Sequence, residues 1–126
     1  MKFFIISTLL CFNLTFAQTV YESIDSEALG TSRELKIQLP RNYEDNPEKS
    51  YPLIVVFDGD YLFEVVAGNV DYYSYWDDMP EAIVVGINQN DLRIEDCSIS
   101  MEDYLPSETG ARFYDFIENQ LINYMI

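Results

Sequence analysis

Two carboxylates flank a glycine at the end of a continuous apolar stretch. Asp58, Gly59 and Asp60 follow directly after Leu53–Phe57, in which every side chain is apolar. Such a run predicts a strand that is buried on both faces. Ligands of open α/β sheets bind at the carboxyl ends of the strands. We therefore expect any chemistry of this segment to lie at these three residues.

In one interpretation the two carboxylates themselves react. A strand that ends in Asp-x-Asp resembles the first motif of haloacid-dehalogenase-type phosphatases. This resemblance implies that Asp58 attacks phosphorus, that Asp60 acts as general acid, and that both hold Mg²⁺, which favours carboxylate ligands. The sequence departs from that family at Leu62, where threonine or valine is usual.

In a second interpretation the backbone is the functional group. Gly59 allows a sharp turn, and Asp60 is a favourable N-cap for a helix that follows. The N–H of Asp60, together with that of Tyr61, is then free to donate to an oxyanion at the helix N-terminus. A third interpretation is structural, in which Asp-Gly-Asp only turns the chain from strand to helix.

Strand patterns occur on both sides of this turn. Leu35, Ile37 and Leu39 alternate with polar residues, which predicts a half-buried strand. Ala82–Ile87 is a second continuous apolar run and predicts another buried strand. The polar segment 88–107 is predicted to be a long loop without regular structure, and loops of that length are often functional.

Helical patterns follow both buried runs. One helix is predicted from Tyr61 onward, and a second is predicted with Ser107 or Thr109 as its cap. The predicted inner faces are Leu62, Val65, Val66, Asn69, Val70 and Tyr73 in the first helix and Phe113, Phe116, Ile117, Leu121 and Tyr124 in the second. The order of strands and helices predicts an α/β layered sheet.

The first seventeen residues have the pattern of a secretory signal peptide. Lys2 precedes an apolar run, and Thr15 and Ala17 place small residues before Gln18. The run is shorter than the roughly 20 residues that a membrane span requires. We expect cleavage after Ala17, a secreted or periplasmic location, and no stable membrane span after cleavage. Residues 18–126 are expected to form the first part of a domain rather than a whole one, because two buried strands make a sheet that is too thin.

Composition argues against several classes of function. The 126 residues include 22 acidic and 7 basic ones, for a net charge of −15, and removal of residues 1–17 takes away one lysine and gives −16. So acidic a chain is not expected to bind nucleic acid. It contains no histidine, and Cys97 is the one cysteine after position 17. We expect no metal site, no cofactor and no internal disulfide.

Several segments, taken in order, are similar to one enzyme family. They are LKIQLPRNYE, VVFDGDYLFE, MPEAIVVGINQND and GARFYDFIENQLINYM. With this spacing, the chain resembles the amino-terminal part of the putative-esterase family of α/β-hydrolases, the group of enterobactin-type esterases, S-formylglutathione hydrolases and mycolyltransferases. The resemblance covers most of residues 18–126.

The resemblance carries expectations for fold, function and site. It implies the amino-terminal portion of a three-layer α/β-hydrolase fold with a mostly parallel sheet, and hydrolysis of a small-molecule carboxylic ester through a serine acyl-enzyme. By the same resemblance, Gly59 and Asp60 contribute backbone amides to an oxyanion hole. Tyr61, Trp76 and Arg93 are then expected to line the substrate cleft.

The sequence departs from the family pattern at the catalytic triad. It contains no G-x-S-x-G motif and no histidine, although the family uses a serine, an acid and a histidine. We therefore expect a fragment that ends before the nucleophile and is inactive alone. The buried strand Leu53–Phe57 is then expected to leave an edge open to self-association. The phosphatase and a non-catalytic exported binding module remain as alternatives.

Overall fold

A four-stranded sheet forms the centre of this protein. The computed structural model describes residues 18–126. The strands are β1 (Gln18–Ser26), β2 (Thr31–Leu39), β3 (Leu53–Val56) and β4 (Ile83–Ile87). They lie in the order β1-β2-β4-β3; the pairs β1/β2 and β2/β4 are antiparallel, and β3/β4 is parallel. Within the described residues β3 is therefore an edge strand.

Helices follow β3 and β4 and cover both faces of the sheet. They are α1 (Gly59–Tyr75), a 3₁₀ turn (Asn90–Leu92), α2 (Arg93–Asp96), α3 (Glu108–Asp115), a π-helical segment (Phe116–Leu121) and α4 (Ile122–Met125). The predicted α/β class is confirmed. The prediction of an unstructured segment 88–107 is wrong in its first part, which contains the 3₁₀ turn and α2.

Two apolar clusters lie on opposite sides of the sheet. One joins β2 and β4 to α3 and the π-helical segment through residues that include Leu35, Val85, Phe113 and Phe116. The other joins β3 and β4 to α1 and consists of Val56, Phe63, Ala67, Val70, Ala82 and Val84. The described chain therefore has three layers, helix, sheet and helix, as the predicted fold requires.

The predicted inner face of α1 is wrong except at Val70 and, in part, Val66. Phe63, Ala67 and Val70 are buried, whereas Leu62, Val65 and Tyr73 are exposed. Gly59 in the first turn lies against the backbone of β4, and this contact fixes the rotation of the helix about its axis. A period read from the sequence alone contains no information about such a contact.

The final helix begins as predicted and then changes its geometry. Ser107 is the N-cap, and its side chain accepts a hydrogen bond from the N–H of Gly110 at 3.2 Å. Phe113, Phe116 and Leu121 are buried, but Tyr124 is half exposed, contrary to the prediction. The π-helical segment adds residues to a turn, so positions after it are rotated relative to an ideal α-helix.

Two further sequence predictions concern the membrane and the start of the chain. Over residues 18–126, none of the helices combines the length and the apolar character that crossing a bilayer would require. The predicted signal peptide at residues 1–17 lies outside the part of the chain that the structure describes.

Candidate functional site

The turn between β3 and α1 is made by an aspartate in the left-handed conformation. Asp58 has φ 53° and ψ 42° and occupies the N-cap position of α1. Its carbonyl oxygen accepts hydrogen bonds from the N–H groups of Tyr61 at 3.1 Å and Leu62 at 2.9 Å. The prediction that Asp60 is the N-cap is therefore wrong, since Asp60 lies in the first turn of the helix.

Gly59 is required for packing and not for the turn itself. Its φ is not positive, so the sharp change of direction occurs one residue earlier, at Asp58. A Cβ atom at position 59 would lie 2.6 Å from the carbonyl carbon of Gly86 and 2.7 Å from the nitrogen of Ile87. The absence of a side chain lets the start of α1 touch the backbone of β4.

Two backbone amides at the start of α1 have no acceptor among residues 18–126. The N–H of Tyr61 is bound to Asp58, so it is not free as the sequence analysis expected. The N–H groups of Gly59 and Asp60 make no hydrogen bond to any described residue. Free amides at a helix N-terminus carry partial positive charge and can bind an anionic oxygen.

Tyr61 and Arg93, which the sequence analysis assigned to a cleft, both lie beside Asp58. Arg93 Nε donates to Asp58 Oδ2 at 3.1 Å, and Arg93 Nη1 lies 3.0 Å from the sulfur of the exposed Cys97. The negative charge of Asp58, followed by burial, raises the pKa of the Tyr61 phenol above its ordinary value. The structure therefore brings Asp58, Tyr61 and Arg93 together at the carboxyl end of β3.

Trp76 is the one predicted site residue that the structure keeps apart from the others. It follows the last residue of α1 and packs edge-to-face against Tyr75. A helix of 17 residues is about 25 Å long at 1.5 Å per residue. Trp76 thus lies near the amino ends of β3 and β4, whereas Asp58 and Asp60 lie at the carboxyl end of β3. The reason is that α1 runs back along the sheet before β4 begins.

Three buried polar side chains, here called the Gln89 brace, support the turn from behind. Gln89 Oε1 accepts from the N–H of Asp58 at 3.1 Å, and Gln89 Nε2 donates to Asp96 Oδ2 at 2.9 Å. The other oxygen of Asp96 accepts from Arg33 Nη2 at 2.8 Å. The brace consists of Gln89, Asp96 and Arg33, with exposed fractions of 0%, 6% and 5%.

Two members of this brace, Gln89 and Arg33, carry no recognisable signal in the sequence. They belong to no motif, and Asp96 attracts notice in the sequence only because it stands three residues after Arg93. Gln89 lies two residues after the end of β4, from where its side chain reaches the N–H of Asp58 at the end of the neighbouring strand β3. Arg33 is 63 positions away from Asp96, so only the folded chain shows that they pair.

A small apolar cavity lies beside the cluster. It measures about 220 Å³ and is lined mainly by Phe57, Cys97, Ile99, Phe113, Tyr114 and Ile117. Phe57 precedes Asp58, so the cavity opens near the end of β3. Among residues 18–126, no group of three or more cysteine, aspartate or glutamate side chains is placed to hold a metal ion.

Comparison with known proteins identifies the family and the fold. The family described as putative esterase matches residues 26–125. A solved structure of an uncharacterised protein from Capnocytophaga ochracea DSM 7271 is 33% identical, with a TM-score of 0.76 over 86% of this chain and 29% of that one. An IroE-like serine hydrolase from Shewanella oneidensis is 25% identical, with a TM-score of 0.74 over 86% of this chain and 38% of the other.

More distant likenesses have the same fold. The enterobactin esterase of Shigella flexneri is 18% identical, with a TM-score of 0.67 over 88% of this chain and 26% of that one. The chain thus spans between about a quarter and two fifths of the length of these structures. No curated protein sequence matches this chain. The match to the family model covers most of residues 18–126, and the chain therefore belongs to the putative-esterase family.

Proposed function

We propose that this chain forms the oxyanion-binding side of a carboxylic-ester hydrolase that acts through a serine acyl-enzyme. The observation that carries the proposal is the pair of unengaged N–H groups of Gly59 and Asp60 at the carboxyl end of β3. Attack on an ester carbonyl places negative charge on its oxygen. Fixed donors at that point lower the energy of the transition state, and one such donor is typically worth a factor of about 10² to 10³ in kcat.

The geometry of the turn suits this role. Gly59 is pressed against β4, and Asp58 is held by Arg93 and Gln89, so the amides are fixed before a substrate binds. A donor that needs no reorganisation during the reaction is the most effective kind. Tyr61 and Arg93 stand beside the amides and would line the cleft that receives the ester.

The remaining catalytic groups must come from outside these 126 residues. The sequence has no histidine and no G-x-S-x-G motif, so it supplies neither a base nor an activated serine. The purified chain is therefore expected not to hydrolyse p-nitrophenyl butyrate. Turnover that a serine-directed phosphonate blocks would contradict this division of roles.

A chimaera tests the proposal directly. Residues 26–125 would replace the matching segment of the Shewanella oneidensis serine hydrolase, the relative with a TM-score of 0.74. In this chimaera, Asp60→Pro removes the N–H, and the first turn of a helix tolerates proline. Gly59 precedes it and has no Cβ for the proline ring to contact. We expect kcat to fall by a factor of about 10² to 10³.

Asp60→Asn is the matched control because it keeps the amide and removes the carboxylate. We expect the chimaera with Asp60→Asn to retain ester hydrolysis within a few fold. Equal activity of Asp60→Pro and Asp60→Asn would refute the oxyanion role. Mg²⁺-dependent release of phosphate that disappears in Asp58→Asn would instead support the phosphatase interpretation, and a bound ligand without turnover would support a binding module.

Export and self-association belong to the same proposal. The sequence pattern at residues 1–17 supports secretion or export to the periplasm, with cleavage after Ala17. N-terminal sequencing of the exported protein should then begin at Gln18, and an intact Met1 on that protein would contradict export by this route. The strand β3 pairs only with β4 among the described residues, which supports association of copies through its free edge.

A further inference from the structure

The Gln89 brace has only one orientation that satisfies its hydrogen bonds. The carboxylate of Asp96, already paired with the Arg33 guanidinium, offers only acceptor atoms to Gln89. The amide NH₂ of Gln89 must therefore face Asp96, and its oxygen must face the N–H of Asp58. Because all three side chains are buried, water is not available to replace any of these bonds.

Asp58 needs such support because its backbone conformation is unfavourable for a residue with a side chain. The left-handed region is strained for ordinary L-residues, although less so for aspartate and asparagine. Three tethers hold Asp58 there: the bond to Gln89, the pairing with Arg93, and the two helix N–H groups that its carbonyl accepts. Only the Gln89 bond acts on the N–H of Asp58.

We propose that Gln89 is a positioning residue that holds Asp58 in the left-handed conformation and thereby sets the direction of the Gly59 and Asp60 amides. Asp96 and Arg33 orient Gln89 in turn. The conformation of Asp58 fixes the peptide planes that follow it, so a change at Gln89 is transmitted to both amides. The catalytic consequence rests on the proposed oxyanion role, whereas the positioning itself does not.

The test uses backbone amide NMR and hydrogen exchange on the purified chain. Gln89→Met has a similar volume and removes both hydrogen bonds. We expect the Asp58 amide to exchange about tenfold faster, as for a lost buried hydrogen bond, and the Gly59 and Asp60 resonances to shift. Gln38→Met is the control, since Gln38 is also buried and donates elsewhere, to the carbonyl of Ala67 at 2.9 Å.

Gln89→Glu should make the amide resonances depend on pH, which would not happen if Gln89 only filled space. The new carboxyl group would face Asp96, 2.9 Å from the present nitrogen, and the Cys97 sulfur, 3.8 Å away. Two carboxylates at that distance share a proton at low pH and repel each other once that proton is removed. At pH about 5 the protonated glutamate can donate to Asp96 and accept from Asp58, so the wild-type resonances should return; near pH 8 they should be lost.

The outcomes separate this inference from the proposed function. Wild-type resonances of Gly59 and Asp60 in a folded Gln89→Met variant would overturn the inference, whatever the chimaera shows. If Gln89→Met does not fold, resonances in Gln89→Glu that are the same at both pH values would overturn it equally. Shifted amides together with a chimaera insensitive to Asp60→Pro would support the positioning and refute the oxyanion role.

Discussion

The contact between Gly59 and β4 makes a sharp prediction about a single added methyl group. In Gly59→Ala the Cβ atom would lie 2.6 Å, 2.7 Å and 2.8 Å from three backbone atoms of Gly86 and Ile87. Ordinary van der Waals contacts of a Cβ atom begin at about 3.4 Å. The start of α1 must therefore move away from β4 by about 0.8 Å, because the atoms that the new Cβ would meet belong to the backbone and cannot swing aside as the end of a side chain could.

The cost of this movement follows from what packs behind it. The cluster of Phe63, Ala67 and Val70 against Val84 lies on the same interface, and a gap of 0.5–1 Å forfeits about a quarter to a half of each contact's attraction. Overpacking of this kind typically costs 1–3 kcal/mol. We expect Gly59→Ala to lower the free energy of unfolding by about 2 kcal/mol.

Gly68→Ala is the matched control on the same helix. An added Cβ at position 68 meets no atom within 4 Å, and the residue is exposed. Alanine in place of an unstrained helical glycine stabilises by about 0.4–1 kcal/mol. The same substitution, nine positions along one helix, should therefore have the opposite sign.

Urea or thermal unfolding followed by circular dichroism measures the difference. The two variants should differ by about 3 kcal/mol, which for a domain of this size is a gap of roughly 10–20 °C in Tm. Equal stability of Gly59→Ala and Gly68→Ala would refute the contact between α1 and β4. A destabilised Gly59→Ala should also shift the Asp60 amide resonance, since the helix start is displaced.

Three other predictions follow from the ion pairs and the sheet edge. Arg33→Met should lower the free energy of unfolding in urea by about 3–5 kcal/mol, because it leaves the carboxylate of Asp96 buried without its cation. Adding Asp96→Leu should recover much of that loss, and no recovery would contradict a buried ion pair between the two residues. Arg41 holds the pKa of Asp71 below its ordinary value, so this pair stabilises the fold above the unfolded pKa and loses its effect as the pH falls through the lowered one. Asp71→Asn should therefore cost about 1 kcal/mol at pH 7 and progressively less below pH about 4, and a pH-independent cost would contradict the assignment. Association of copies through the free edge of β3 should appear in sedimentation velocity as a sedimentation coefficient that rises with protein concentration, whereas a single monomeric species at all concentrations would exclude that edge.

The sequence predicts those features that depend on neighbouring residues. The strands β3 and β4 are found within one residue of the predicted runs, because a continuous apolar stretch can be stable only where both faces are covered. The N-cap Ser107 and the buried Phe113 and Phe116 are likewise local signals. The family match over residues 26–125 confirms the resemblance that these segments carry together.

Features that depend on distant contacts could not be predicted in this way. The rotation of α1 is set by Gly59 against Gly86, and the exposed Tyr124 follows from a π-helical turn that no periodicity indicates. Asp60 was the more plausible cap from local propensity, since a non-glycine residue in the left-handed region is uncommon. Asp58 takes that conformation because Gln89 and Arg93, from beyond β4, hold it there.

The position of the Gly59 and Asp60 amides is thus determined more by contacts with β4 and the residues after it than by β3, the strand that precedes them. Two independent connections join the start of α1 to β4: the backbone contact of Gly59 with Gly86 and the bond from Asp58 to Gln89. The contact of Gly59 with Gly86 leaves no room for a side chain at position 59, whereas the bond from Asp58 requires the glutamine at position 89. A substitution at either position would therefore displace the same two N–H groups. Both connections leave the strand end rigid while Arg93 and Tyr61, at the surface, stay accessible. This rigid donor pair beneath accessible polar side chains supports the oxyanion role that we propose.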